Sequence, residues 1–385
     1  MNKEKLSNLY DIGSSKRVFQ SEWREKGVPF YRAREIARLS EDGYVDNELF
    51  IDEDLYEEYT EKYGRPQPGD VMVTGVGTLG VCYVVKPRDK FYFKDGNILW
   101  FKQKAPDRIM PEYLVKAFES KEVKDFISKN SSGTTVGTFT IQTANRMEIT
   151  LPSIDQQEQI IERISKLESI IKKRQNELVK LDELIKARFV EMFVGKDYPL
   201  ILVDDLSLGK GEYGAQSASI EYDPCRPRYV RITDINEDGT LNDDLVSSSN
   251  EEDDEQYKLR YGDFLFARMG ATVGKTYAYR GGNQIYAGYL IRYKLNLDWI
   301  LPEYLYAFTK QDEYWNWVKL NQSGAAQPGI NAKKYGSLRV PVPPLSEQKV
   351  FQTLVHQVDK SKAQVQKALD ETQLLFDSLM QEYFG

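Results

Sequence analysis

Two glycine-rich stretches carry residue types at a spacing known to do chemistry. GDVMVTGVGTLGVCYVV, residues 69–85, holds Gly75, Gly77 and Gly80 as G-x-G-x-x-G, the spacing that lets backbone close on a pyrophosphate. GDFLFARMGATVGKTYAYRGG, residues 262–282, misses the phosphate-cradling G-x-x-x-x-G-K-[ST] only because Met269 stands where the first glycine belongs. Both motifs require a helix directly after the glycines, since it is the N-terminal N–H groups of that helix that hold the phosphate. Here VCYVV and TYAYRGG follow, β-branched and aromatic, so each stretch predicts a strand–turn–strand hairpin instead. Nucleotide chemistry is therefore set aside.

No other catalytic set is present. There is no G-x-S-x-G and no Asn/Asp-Pro-Pro-Phe/Tyr of an amino-methyltransferase. The single histidine, His356, lies among helical residues, and Cys82 and Cys225 have no C-x-x-C spacing. No catalytic, cofactor-binding or metal-binding residue is assigned, and the chain reads as a binder.

Composition is that of a water-soluble chain long enough for two domains: 385 residues, 41% hydrophobic and 29% charged, with no apolar run of membrane-spanning length. MNKEKLSNLYDIGSS lacks the apolar core of a secretory signal, which predicts a cytoplasmic protein with no membrane association. The net charge of −7 argues at first against nucleic acid, but it is concentrated. Residues 41–58 hold nine acids and residues 243–255 hold seven, with no base in either run. Set those sixteen aside and 43 acids face 52 bases, a net +9 that leaves room for a positive face. The second run, with Asp253-Asp254, reads as a solvated loop.

The elements that position these residues are written twice. MPEYL (110–114) returns as LPEYL (301–305), Ser132-Gly133 as Ser323-Gly324, LPSIDQQEQI (151–160) as VPPLSEQKVF (342–351), and EMF (191–193) as EYF (382–384), all at an offset of 191. Gly69-Asp70 returns as Gly262-Asp263 at 193, and FYRAREI (30–36) as YVRITDI (229–235) at 199. A fixed offset over more than eighty residues marks a tandem duplication, and the drift marks loops of unequal length. Each copy opens with short β-type runs between Gly and Pro turns, passes a helical PEYL, and crosses a proline-rich boundary into a long helix.

The long helices show apolar residues in steps of three and four. Ile160, Ile164, Leu167, Ile171, Leu178, Leu181 and Ile185 form one stripe, interrupted by Arg174. Phe351, Val355, Val358, Val365, Leu369, Phe376 and Leu379 form the other, interrupted by Lys362 and Thr372. That is the 3.5-residue signature of a coiled coil. Asp155, with Glu158 three residues on, and Ser346 are the candidate N-caps. The fold class expected is α+β: two repeated mixed α/β domains separated by two long helices that form an antiparallel coiled coil, with pseudo-two-fold symmetry. The boundaries are 1–151 and 196–342 for the domains, 152–195 and 343–385 for the helices.

LPSIDQQEQIIERI with FVEMFVG, then VPPLSEQKVFQTL with LMQEYFG, resembles the DNA-specificity subunit of type I restriction–modification systems. YGAQSASIEYDPCRPRYVRITDI (213–235) is similar to the opening of a target recognition domain in that family. The resemblance covers nearly the whole chain. It implies a non-catalytic subunit whose two target recognition domains each read half of a split, asymmetric double-stranded DNA sequence. It also implies paired helices that act as a ruler and dock two modification subunits that methylate adenine, with restriction subunits joining them. S-adenosylmethionine, ATP and Mg would sit on those partners, with no cofactor in this chain. A non-catalytic adaptor, two β-rich binding modules on a coiled-coil rod, is the alternative.

For DNA contact, Arg suits guanine, Asn and Gln suit adenine, and Lys suits phosphate. The candidates in polar turns are Lys16, Arg17, Arg32, Arg34, Lys129 and Thr134 in the first copy. In the second they are Arg226, Arg228, Arg231, Arg268, Lys275, Gln327 and Asn331.

Overall fold

The computed structural model describes residues 3–131, 137–323 and 328–385. It divides into two units, residues 1–175 with 367–385, and residues 176–366, so both long helices contribute to both units.

The first unit is organised on a four-stranded antiparallel sheet of β1 (Tyr10–Gly13), β2 (Val71–Thr74), β3 (Cys82–Val84) and β4 (Ile98–Gln103), in the order β1-β4-β2-β3. Every residue of β2 is buried, and so are Ile98 to Phe101 of β4, because one face is covered by helix α1 (Pro111–Glu119) and the other by helix Ala33–Asp42. Strand Lys3–Lys5 closes the domain by pairing with Glu148–Thr150, just before the long helix α2 (Ile154–Phe193).

The second unit repeats this arrangement. Its sheet is β5 (Glu212–Tyr213), β6 (Asp263–Ala267), β7 (Thr276–Ala278) and β8 (Leu290–Lys294), in the order β5-β8-β6-β7. Helix α3 (Pro302–Phe308) follows, Leu200–Leu202 pairs with Arg339–Pro341, and α4 (Leu345–Phe384) leaves the domain. Asp70 and Asp263, each after a glycine held at a φ of +92° or +95°, open the buried strand. Asp70 accepts from Gln67 N, Trp100 Nε1 and Gln103 N, whereas Asp263 accepts from Arg260 N and faces Arg292. Both glycine motifs are the expected hairpins, β2–β3 and β6–β7. Gly80 and Gly274 need their lack of a side chain twice over. Each has a positive φ, and a Cβ would strike Ile127 at 2.7 Å or Trp315 and Val318 at 2.9 Å, on the helices pressed against the turn.

The long helices are 40 residues each, about 60 Å at 1.5 Å per residue. Their first residues differ from expectation. The N-cap of α2 is Ser153, whose Oγ accepts from Gln156 N while the Gln156 side chain accepts from Ser153 N. Asp155 already lies in the first turn, where its charge meets the helix dipole. In α4 Pro344 precedes the helix and Ser346 lies inside it. The proline-rich approach fixes the chain there without a side-chain cap.

Within the first unit the start of α2 runs antiparallel to the end of α4. Ile160 and Ile164 are buried with Met380, Tyr383 and Phe384, while Leu167, Ile171, Leu369, Phe376 and Leu379 are half-buried. Arg174 donates to Ala368 O and Thr372 Oγ1, so two interruptions of the apolar stripes meet each other. Within the second unit the end of α2 runs antiparallel to the start of α4. Phe351, Val355 and Val358 are buried there, Leu178, Leu181, Ile185 and Val365 are half-buried, and Lys362 pairs with Asp182 at 2.7 Å.

The motifs at offset 191 converge in each unit. Gln157, fully buried, accepts from Met110 N at 2.8 Å and donates to Arg108 O and Pro152 O at 2.8 and 2.9 Å. Gln348, also fully buried, accepts from Leu301 N and donates to Trp299 O and Pro343 O, all at 2.9 Å. Beside them the tyrosine of PEYL packs against the last phenylalanine of a long helix, Tyr113 tilted on Phe384 at 5.1 Å and Tyr304 edge-to-face with Phe193 at 4.9 Å between centroids. Replacing Gln348 with Leu leaves one N–H and two carbonyls without partners in a dry site. It should lower the unfolding free energy by roughly 2–4 kcal/mol. Urea denaturation reads this as a lower midpoint at unchanged slope, and a loss below about 1 kcal/mol would contradict the role given to the amide.

Candidate nucleic-acid interface

The polar candidates lie on turns and near the ends of strands and helices, and most are already engaged. Arg32 and Arg231 occupy the same place in the two units, ahead of a short helix. Each closes on the carboxylate three residues later, Arg32 on Glu35 at 2.8 Å and Arg231 on Asp234 at 2.7 Å, with the backbone N–H of each arginine on the same carboxylate. Glu35 is 1% exposed and Asp234 fully buried. Burial works to raise the Glu35 carboxyl, but hydrogen bonds from Arg32 and Arg34 overcome it and hold the group below its ordinary value.

The acidic runs supply second partners. Glu48 meets Arg34 at 2.9 Å and Asp244 meets Arg231 at 2.7 Å. Arg226 lies fork-to-fork on Asp254. The run 243–255 is therefore no solvated loop: it forms strand Val246–Ser248 and helix Asp253–Gln256, and Asp253 is buried against Ser248. The room left for a positive face by setting both runs aside is smaller than the count suggests, since Glu48, Asp244 and Asp254 neutralise Arg34, Arg231 and Arg226.

Of the remaining candidates, Arg17 pairs with Asp95 at 3.0 Å and Lys275 with Glu237 at 2.7 Å. Lys16 lies 5.7 Å over the Tyr63 ring. Lys129 is exposed in the last turn of helix Lys121–Asn130. Arg228 donates to the backbone and side-chain oxygens of Asn242. Asn331 caps helix Ala332–Gly336 by accepting from Lys334 N. Thr134 and Gln327 lie outside the described residues. Arg268 alone of the arginine candidates rests on a ring, 4.7 Å above Tyr213. The arginines at 226, 228 and 231 are drawn together around residues 242–254, while Arg268 and Lys275 belong to the β6–β7 turn. No group of three or more acids, cysteines or histidines that could hold a metal occurs among the described residues.

Sequence reading passed over one feature of the second unit, a cavity of about 530 Å³ between the end of α2, the start of α4 and α3. Ile185, Phe189 and Val355 line it, with Lys310 at one side. Lys310 donates to Glu237 O at 2.7 Å and lies 4.7 Å over the Tyr306 ring. Its residues are scattered along the sequence, which is why no local pattern announced it.

Two similar mixed domains, each bearing a rim of arginines and carboxylates and each packed on portions of two long helices, define a duplicated binding protein. The chain belongs to the family described as type I restriction modification DNA specificity domain, whose family model matches residues 1–181 and 214–372. A putative type I restriction enzyme specificity subunit from Haemophilus influenzae is 27% identical over 170 residues, which span 43% of this chain and 40% of that protein. Among solved structures, the S subunit of the type I restriction–modification system from M. genitalium matches with a TM-score of 0.58 at 14% identity, covering 100% of this chain and 96% of that one. A chain from a study of complex assembly and conformational transition of the type I system matches with a TM-score of 0.61 at 16% identity, covering 99% and 97%. At these identities the likeness establishes the fold. No helix among the described residues is long and apolar enough to cross a membrane.

Burial drives the Lys310 amine down to about 8, with Lys275 and Lys186 adding to the effect against the pull of Glu237 and Asp238. An unfolded lysine titrates near 10.4, so between pH ~8 and ~10.4 the unfolded chain holds the extra proton and wild-type stability rises with pH. Lys310→Met lacks this response. The melting temperature of the wild type relative to Lys310→Met should therefore climb across that window, and a difference that stays flat would show the amine to be unperturbed.

Proposed function

We propose that the chain is the sequence-reading subunit of a cytoplasmic type I restriction–modification complex. Each of its two domains would read one half of a split DNA target. The observation that carries the reading is the duplication: two domains of one topology, matched by the specificity family in two segments, yet different in the loops that present their polar residues. Alike frames with unlike rims suit two half-sites of different sequence, and a fixed protein geometry suits a fixed spacer. The long helices are the natural seat for two modification subunits, which would carry S-adenosylmethionine and methylate adenine. Restriction subunits using ATP and Mg would complete the assembly. This chain would contribute no reacting group.

The test is to reconstitute the chain with its modification subunits and map methylated adenines on genomic DNA. The expected motif is gapped, with one adenine on each strand; a contiguous motif would overturn the reading.

The pairing of the candidate arginines with carboxylates favours one other reading, an adaptor whose modules bind protein or carbohydrate. Salt separates the two. Binding of duplex DNA by the reconstituted complex should weaken steeply and linearly in log–log form as salt rises, with a slope near −0.9 per phosphate neutralised. A flat dependence would favour the adaptor.

A further inference from the structure

Resting on the DNA-reading function proposed above, we infer that Arg268 is the guanidinium with which the second domain reads a guanine, and that the first domain cannot read this way. The two domains differ at one point of an otherwise shared framework. Arg268 follows the last residue of β6; its N–H donates to Tyr289 O at 3.0 Å and its carbonyl accepts from Ile330 N at 2.9 Å. Gly75 follows the last residue of β2; its N–H donates to Asn97 O at 2.8 Å and its carbonyl accepts from Phe139 N at 3.0 Å. These are the same position. At Gly75 a Cβ would sit 2.7 Å from Leu99 Cδ1 and 2.9 Å from Phe139 O, so the first domain has no room for any side chain there.

The arginine that fills this place in the second domain differs from its neighbours. Arg17, Arg32, Arg34, Arg226 and Arg231 are ion-paired, and Arg228 is held by Asn242. Among the described residues Arg268 has no carboxylate or hydrogen-bond partner for its side chain; its Nε is enclosed without one, as is that of Arg228, but Arg228 still donates to Asn242 whereas Arg268 donates to nothing. What holds it is the face of Tyr213, whose hydroxyl in turn accepts from Ala332 N at 3.2 Å. A half-buried guanidinium without a counter-charge is costly to keep. The Tyr213 face restrains the group, and the two terminal nitrogens remain to be matched. The acceptor pair that fits a fixed, planar, two-pronged donor on duplex DNA is O6 and N7 of guanine in the major groove. A phosphate would accept from the same fork, but it would accept equally from a lysine.

The experiment uses the complex reconstituted with its modification subunits, comparing wild type with Arg268→Ala, Arg268→Lys and Tyr213→Leu. Methylated motifs are mapped, and melting curves and affinity for duplex DNA against salt are recorded for each. A gapped wild-type motif establishes the function on which the inference rests; failure at that step falls on the function and not on Arg268. The expected result is that Arg268→Ala loses roughly ten- to a hundredfold preference for guanine at one position of one half-site, with the other half-site unchanged. Arg268→Lys should recover the preference only in part, because an ammonium is a point donor without the planar fork, and Tyr213→Leu should relax the same position. Three results would overturn the inference. One is an unaltered motif in natively melting variants. Another is a uniform affinity loss, rescued by Lys and with the salt slope reduced by about one, which marks a phosphate contact. The third is relaxation in both half-sites.

Discussion

A side-chain amide with no exposure to solvent ties each domain to the helix that leaves it. Gln157 and Gln348 each join the N–H of the residue that caps the PEYL helix, the carbonyl two residues upstream of it, and the carbonyl of the proline-rich approach. Those backbone groups lie where a helix start leaves donors unmet and where water is absent. One residue with two donors and an acceptor satisfies all three, which neither Glu nor Leu could do. With the exit direction of α2 and α4 set in this way, PEYL, the proline boundary and the terminal phenylalanine become parts of one joint. The joint recurs at offset 191 because all its members must be kept together.

Charge on the rims is spent locally before any ligand arrives. Paired arginines such as Arg32 and Arg231 serve as braces: each spans a buried carboxylate and an exposed one, so its guanidinium is held in one orientation. A braced arginine presents a weakened field to any polyanion, in keeping with the net −7 of the chain. Against this background an uncompensated cation such as Arg268 stands apart in kind, and no counting of basic residues would reveal it.

Much of the fold was legible because duplication makes a sequence its own control. The constant offset marked the repeat, the apolar steps of three and four marked the long helices, and the β-branched and aromatic residues after the glycines marked the hairpins; each has its counterpart in three dimensions. The N-caps were misassigned because several acceptors crowd the helix start; Ser153, with Gln156 reaching back, wins by geometry that spacing alone does not rank. Gln157 and Gln348 were visible as repeated letters, but a buried amide and an exposed one look alike in one dimension. The acidic runs misled for a related reason. Carboxylates far away in sequence cannot be paired by eye with the arginines they meet, and the cavity beside Lys310 is assembled from six separated segments.

The ring pair Tyr113–Phe384 carries a consequence for biogenesis. The aromatic that completes the core around Tyr113 lies about 270 residues further along the chain, so the first domain must wait, with that core unfinished, while the second is made. At ordinary ribosomal speeds the interval is on the order of tens of seconds. The earlier-made half is thus the later to mature, and during that delay its apolar surface is open to chaperones and to mispairing with the equivalent Phe193, which emerges first.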